Sequence, residues 1–356
     1  MNAFLRGIFP FIGAILVVAS FLPLTETNIW WVRVLDFPRL QFMIALAVVG
    51  ALIFLFARPR RIGGWLVLAG MVAAVGCHVY KLHPYWEWVE PRAVAVSRCA
   101  DGSRLRVLVA NVQKGNRQDE RLLALVEETD PDVFLAMETD EWWNERLAPL
   151  RNDFAHQVQH VGSGYFGMHL FSKYELVDPE IRFLAEQDVP SIFTDIRLPD
   201  GQMVEFLGIH PRPPRALQPS TGRDAQILAA ALEARASAEP SILAGDLNAV
   251  PWERVVRRAM RIGRLLDPRV GRGYIPTYDA QQLLLSWPLD QVLYEDAIGL
   301  TALERLPEFG SDHYPYLADL CHAPVLAERQ HAPEMEEGDL AEAQTSIESA
   351  IQDARG

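Results

Sequence analysis

The chain has 356 residues, half of them hydrophobic, and a formal net charge of −13. That length admits one large domain or two smaller ones, and three cysteines are too few for a disulfide scaffold. Basic and acidic side chains number 9 and 4 over residues 1–100, 22 and 34 over 101–322, and 2 and 8 over 323–356. The soluble part is therefore strongly acidic, which argues against a surface built to grip duplex DNA through many phosphates.

Three apolar runs open the chain: Gly7–Leu24, Leu40–Phe56 and Ile62–Tyr80. Each is about the length that crosses a bilayer core and has almost no charge inside, so residues 1–85 are read as a region of three transmembrane helices. Arg6 precedes the first run as in a signal peptide, but no small-x-small cleavage site stands out, and two more runs follow. Arg58, Arg60 and Arg61 crowd the second loop, which places that loop in the cytoplasm. An odd number of spans then puts everything after Tyr80 outside it. This predicts an inner (plasma) membrane protein whose soluble domain is periplasmic or extracellular. Trp30, Trp31, Trp86 and Trp88 fall just beyond span ends on that outer side, where indole rings favour the interface.

A linker is expected over 86–103, and from Arg104 the pattern changes. Leu105–Ala110 and Val133–Met137 read as short buried strands on either side of an amphipathic helix, Gln118–Thr129, with Pro131 marking its end. Further strands are expected at Gly167–Ser172, Ile192–Leu198, Gln202–Ile209, Ser241–Ala244, Leu289–Tyr294 and Tyr314–Leu320. Helices are expected at Arg223–Ala236 and Glu253–Arg264. Many strands with interspersed helices give an α+β class with a layered sheet core over 104–322. The acidic tail 323–356, poor in large apolar residues, is expected to be disordered or a loose helix.

Polar residues stand where the apolar strands stop: Asn111, Glu138, His210, Asp246 and Asn248 in GDLN, Asp290 in PLDQVLY, and Asp312-His313 in SDHYPY. Open strand ends on a rigid sheet are common places for a site. Singly, each residue is explained as well by a turn, a cap or a surface position. Together and in this order they ask for a shared role.

The order resembles the DNase I-like endonuclease/exonuclease/phosphatase superfamily over roughly 104–320. GDLNAVPW (245–252), PLDQVLY (288–294) and SDHYPY (311–316) are the most specific pieces, with PTY (276–278) and RDAQILA (223–229) in support. The N-terminal spans and the His-Pro-x-Pro-Pro stretch at 210 look like a bacterial membrane-anchored branch. The resemblance implies a four-layered α/β sandwich of two packed sheets and a divalent-metal-dependent phosphoesterase acting on a phosphodiester or phosphomonoester. It implies Glu138 as principal ligand of Mg²⁺ or Mn²⁺, with Asn111 and Asp312 contributing directly or through water. Asp246 would activate the attacking water or shuttle a proton, Asn248 would position it, and Asp290 would hold His313 by one ring nitrogen. His210 would be a second imidazole on the phosphate. The substrate could be a lipid headgroup, a small phosphorylated molecule or a nucleic acid, and no obligate protein partner is evident besides the bilayer. Two other readings are a nuclease acting on extracytoplasmic DNA or RNA and a non-catalytic membrane-anchored binding module.

Three further residues depart from, or add to, this pattern. His169 replaces what is more often a small or apolar residue, and is read as a strand residue rather than a support for the site. Arg212 and Arg215 beside His210 are read as solvated, like the basic stretch Arg254–Arg264. The resemblance also implies antiparallel first and last strands. With 111 opposite 312, residue 102 faces 321, and a Cys99–Cys321 disulfide is expected against the alternative of two free thiols.

Overall fold

Backbone in lipid must satisfy its own hydrogen bonds, so apolar runs of this length are helices or nothing. The computed structural model describes residues 3–57, 62–162, 164–282 and 284–354. Arg58, Arg60 and Arg61, on which the orientation argument rests, lie outside the described residues. Helices α1 (Ala3–Phe21), α2 (Trp30–Val34), α3 (Arg39–Leu52) and α4 (Ile62–Leu82) form a first compact unit that ends at Val89 and also takes in Pro214–Ser220. Three windows, Gly7–Leu24, Arg39–Phe56 and Ile62–Tyr85, are long and apolar enough to cross a membrane. Leu46, Ile53, Met71 and Ala74 are buried between the helices, whereas Phe11, Val18, Ile62 and Val72 point outward and are largely exposed. Gly13 permits close approach: a Cβ there would lie 2.9 Å from the Met71 sulfur. The unit buries one polar cluster, in which Arg39 Nε donates to Asp36 at 2.6 Å and His78 Nε2 meets Ser20 Oγ at 2.9 Å.

The second unit runs from Glu90 to Pro213 and from Thr221 onward. In chain order it contains β1 (Arg104–Asn111), α5 (Asp119–Thr129), β2 (Val133–Met137), α6 (Glu141–Leu147), β3 (His156–His160), β4 (Met168–Ser172), β5 (Glu175–Arg182), β6 (Ser191–Arg197) and β7 (Met203–Ile209). There follow α7 (Thr221–Ala236), β8 (Ser241–Asp246), α8 (Arg254–Ile262), β9 (Leu265–Leu266), β10 (Asp290–Glu295), β11 (Ile298–Arg305), β12 (Tyr316–His322) and α9 (Asp339–Asp353). The strands make two six-stranded sheets, ordered β11-β12-β1-β2-β4-β3 and β5-β6-β7-β8-β10-β9. Each sheet is antiparallel except for one parallel pair joined through a helix, β1–β2 and β7–β8.

The inner faces pack together through residues such as Val107, Leu135, Phe206, Ile242 and Tyr316. Helices α5 and α6 cover the outer face of the first sheet through Leu122, Val126 and Trp143, and α7 and α8 cover the second through Ile227, Ala231 and Val256. The result is the expected four layers, helices on sheet on sheet on helices. Chain direction gathers one end of both sheets. β1, β2, β7 and β8 finish there, and β10 and β12, antiparallel to β8 and β1, begin there.

Three expectations are corrected. Residues 90–103 are not a free linker. Ala93 is buried, Val94 N–H donates to Gln330 at 2.7 Å, and Ala95 bridges Leu300, so this stretch belongs to the second unit. The acidic tail is ordered: α9 packs its Ala343 and Ala350 inward, and Asp339 is buried against Arg258 and Arg261. Those two arginines, read as part of a solvated stretch, are likewise buried. Third, β1 and β12 pair as Arg104↔Cys321, two residues from the expected register, which brings Asn111 level with 314 rather than 312. Cys99 and Cys321 are joined by a disulfide, with Cα atoms 5.6 Å apart, and the bond closes a loop of 222 residues.

Candidate active site

All eight residues singled out in the sequence reach the shared end of the two sheets. Asn111 closes β1, Glu138 follows β2, His210 follows β7, Asp246 closes β8, Asn248 lies two residues on, Asp290 opens β10, and Asp312-His313 lead toward β12. Pairing brings some of them face to face, since Asp290 is the direct cross-strand partner of Asp246.

The Asp246 carboxylate is the hub. Its Oδ2 accepts from Asn111 Nδ2 at 3.1 Å and lies 3.7 Å from His210 Nε2 and 3.6 Å from His313 Nε2. Its Oδ1 accepts the Asn248 N–H at 2.9 Å. Burial raises the Asp246 pKa; the two imidazoles oppose that rise and Asp290 adds to it. His313 Nδ1 meets Asp290 Oδ2 at 2.8 Å, which fixes the ring and turns Nε2 toward Asp246. Burial alone would discharge this imidazole, yet Asp290 and Asp246 outweigh it and push its pKa up to about 10. His210 Nδ1 is buried with no hydrogen-bond partner among the described residues, and the ring leans on Phe166 at 5.8 Å.

Glu138 stands beside this hub. Oε1 accepts from Asn111 Nδ2 at 3.2 Å and Oε2 from the Lys114 N–H at 3.1 Å. The Asp312 carboxyl is raised by burial and, with His313 opposing, by the nearby charge of Glu138. Two carboxylates facing one another in a half-buried site form an all-oxygen donor set suited to a hard divalent cation. Asn111 fits this set differently from the expectation. Its oxygen accepts the Gln113 N–H at 3.0 Å, so its amide nitrogen faces Glu138 and Asp246. It orients the Glu138 and Asp246 carboxylates, so that Glu138 and Asp312 are the oxygens that would hold a cation. Asp246, Asp290 and His313 also have ligand atoms within 4.8 Å of one another, but His313 Nδ1 is engaged with Asp290 and the ring favours its proton. That position is the poorer one for a cation.

Several supporting groups were not assigned to the site from the sequence, although Thr277, Tyr278, Ser311 and Arg223 fall within the PTY, SDHYPY and RDAQILA segments. Backbone N–H groups of Gln113 and Lys114 hold Asn111 and Glu138. Gln113 Oε1 accepts the Asp312 N–H at 3.2 Å. Ser311 Oγ donates to Asn111 O at 2.8 Å. Thr277 Oγ1 accepts the Asp290 N–H at 3.0 Å, and Tyr278 sets its ring 4.9 Å from His313. Asn248, with φ at 49°, donates from Nδ2 to Pro211 O at 3.0 Å, and its own carbonyl accepts from the buried Arg223 at 2.9 Å. His169, read as a strand residue, does lie in β4, but its ring meets Thr139 and Asn144. Arg212 is paired with Glu186 and Asp188 rather than simply solvated.

This fold and this end-of-sheet cluster define a class, and comparison with known proteins gives the same one. The model of the Endonuclease/Exonuclease/phosphatase family matches residues 108–313, more than half of the chain and the whole span from Asn111 to His313. The chain belongs to that family and has its phosphoesterase and nuclease fold. Among proteins of curated function, none matches this sequence. Of solved structures, D. rerio TDP2 complexed with single-strand DNA product superposes with a TM-score of 0.52 at 16% identity, covering 61% of this chain and 99% of that one. The human Nocturnin catalytic domain with bound sulfate gives 0.51 at 18%, covering 65% and 98%. The endonuclease/exonuclease/phosphatase from Beutenbergia cavernae gives 0.51 at 19%, covering 62% and 72%. At these identities the likeness is one of fold.

Proposed function

We propose that this chain is a membrane-anchored, divalent-metal-dependent phosphoesterase of the bacterial membrane-bound kind, hydrolysing a phosphodiester or phosphomonoester outside the cytoplasm. The observation that carries the reading is the Asp290–His313–Asp246–Asn111–Glu138 chain of contacts, with Asp312 beside it. The raised Asp246 carboxylate suits a group that takes a proton from the attacking water, and Asn248 sits where it can orient that water. Asp290 keeps His313 protonated, so its Nε2 presents a positive donor to a phosphoryl oxygen. His210 Nε2 offers a second contact from the other side of Asp246. Glu138 and Asp312 would hold Mg²⁺ or Mn²⁺, whose contribution when bound is to neutralise charge on the phosphoryl and leaving oxygens. The apolar helices and the acidic balance of the chain favour a lipid headgroup or small phosphorylated substrate over a nucleic acid.

The test uses the full chain in detergent with bis-p-nitrophenyl phosphate and p-nitrophenyl phosphate. Turnover that needs Mg²⁺ or Mn²⁺, stops with EDTA and is lost in Glu138→Ala is expected. Turnover indifferent to both would remove the metal from the reading. Activity of alkaline phosphatase fused after Gly356 is expected for an outside location, and fluorescence from a reporter that matures only in the cytoplasm would contradict it.

A further inference from the structure

Glu138 stands one residue past β2 with a left-handed backbone, φ 61°, a conformation disfavoured for a residue with a Cβ. Something must hold it there. Thr139, the next residue, is gripped from two sides. Its N–H donates to Gly167 O at 3.1 Å, and Gly167 approaches so closely that a Cβ on it would be 1.6 Å from the Thr139 carbonyl oxygen. On the other side its hydroxyl meets Nδ1 of the buried His169 at 2.9 Å.

The direction of that bond is fixed. Asn144 Nδ2 donates to Glu141, so Asn144 Oδ1 is an acceptor, and it lies 3.2 Å from His169 Nε2. Nε2 therefore carries the ring proton, Nδ1 offers a lone pair, and the Thr139 hydroxyl donates. Burial, with Arg151 adding to it, lowers the His169 pKa to about 4, so this neutral tautomer persists at neutral pH. The ring thus ties β4 and α6 to the residue after Glu138.

We propose that His169 is a positioning residue: by accepting the Thr139 hydroxyl it fixes the strained Glu138 backbone and aims that carboxylate at the cation position. The inference rests on the reading of Glu138 as the metal-holding carboxylate. Outer partners of this kind commonly change metal affinity by about 10- to 100-fold.

Three substitutions in the full chain separate the bond from mere packing. His169→Gln keeps a donor toward Asn144 and loses the Nδ1 acceptor. Thr139→Val removes the hydroxyl at nearly constant volume. His169→Asn keeps an acceptor at the δ position. Each is read by calorimetric titration with Mn²⁺ alone and by amide exchange of the Thr139 region without metal. His169→Gln and Thr139→Val are expected to weaken Mn²⁺ binding by about 10- to 100-fold and to speed exchange, with His169→Asn close to wild type. Unchanged affinity and exchange in the first two would overturn the proposal. So would His169→Asn as damaging as His169→Gln, which would assign the effect to the stacking of the His169 ring on Phe171, centroids 5.8 Å apart. A wild-type chain that binds no Mn²⁺ would defeat the metal reading instead. The exchange rates then decide alone: faster in His169→Gln and Thr139→Val supports the positioning role, unchanged refutes it.

Discussion

Two of the places where the catalytic unit buries charge are built on opposite electrostatics. Where α9 docks, Asp339 accepts from Arg258 Nε at 3.1 Å, from Arg261 Nε and Nη2 at 2.7 and 2.6 Å, and from the Glu336 N–H at 2.8 Å. Burial works against the Asp339 charge, yet Arg261, the Glu336 amide and Arg258 outweigh it and lower its pKa to about 2. At the strand ends, burial instead raises Asp246 and Asp312, and neighbouring carboxylates raise them further. The first cluster is satisfied by its own residues. The second is left in tension, as suits the proposed site, where a cation or a phosphoryl group would complete it. Satisfied charge reads as structure, and charge in tension reads as function.

The largest test of this contrast is to remove the tension. Asp246→Asn keeps the Oδ1 acceptor for Asn248 but removes the titratable carboxyl whose charge burial opposes. Turnover should fall by about 10²- to 10⁴-fold, while the thermal midpoint in EDTA stays level or rises, because a desolvation cost has gone. His313→Ala should lose turnover on the same scale. A variant of either kind with wild-type turnover would take these residues out of the chemistry, and a large drop in midpoint for Asp246→Asn would make the site a structural pair like the other.

The converse test empties the satisfied cluster. Asp339→Ala removes the acceptor of three arginine N–H bonds. Charged hydrogen bonds of this type contribute roughly 1.5–3 kcal/mol each when one partner is deleted, but Arg258 and Arg261 keep their existing pairs with Glu342 and Glu336, so a net loss of about 2 kcal/mol is expected. It should appear as proteolysis of the last 25 or so residues, with kcat on p-nitrophenyl esters unchanged. Lost turnover with α9 still docked would join the tail to the catalytic machinery and break the contrast.

What could be read from the sequence divides along physical lines. The eight strands expected there, β1, β2, β4, β6, β7, β8, β10 and β12, are the eight interior strands of the two sheets. Largely buried on both faces, they are written as mostly apolar runs. The four that went unseen, β3, β5, β9 and β11, are the four edges. HQVQH and ELVDPEIR are polar and half-exposed, as edges must be to avoid pairing with other chains, and β9 is only two residues long. The site follows the same rule. Its side chains were visible because Asp, Glu, Asn and His are conspicuous after apolar strands. The amides of Gln113 and Lys114, and the Asn111 amide turned nitrogen-first toward the carboxylates, were not visible, because backbone donors have no residue code. The docking of α9 was hidden for another reason, since its anchoring arginines lie 78 and 81 residues before Asp339 in the chain.

The smallest expected effect is a pH dependence. Asp339 has a folded pKa of about 2 against an ordinary value of 3.8. For a carboxyl depressed by folding, the stabilisation is fully present above the unfolded value and is lost as pH falls through the folded one. The α9 contacts should therefore be intact at pH 5, weaken below about pH 4, and be gone near pH 2. One pKa unit corresponds to about 1.4 kcal/mol, and screening at this partly open edge trims the total to the order of 1–2 kcal/mol. Amide exchange across 339–353, followed from pH 5 to pH 2.5 and corrected for intrinsic rates, should show protection falling in the wild type. In Asp339→Asn, whose side chain keeps one acceptor but cannot titrate, protection should start lower and show a shallower acid loss. Parallel acid profiles for the two proteins would mean that other carboxylates govern the tail, and that Asp339 is not the satisfied charge on which the comparison with Asp246 depends.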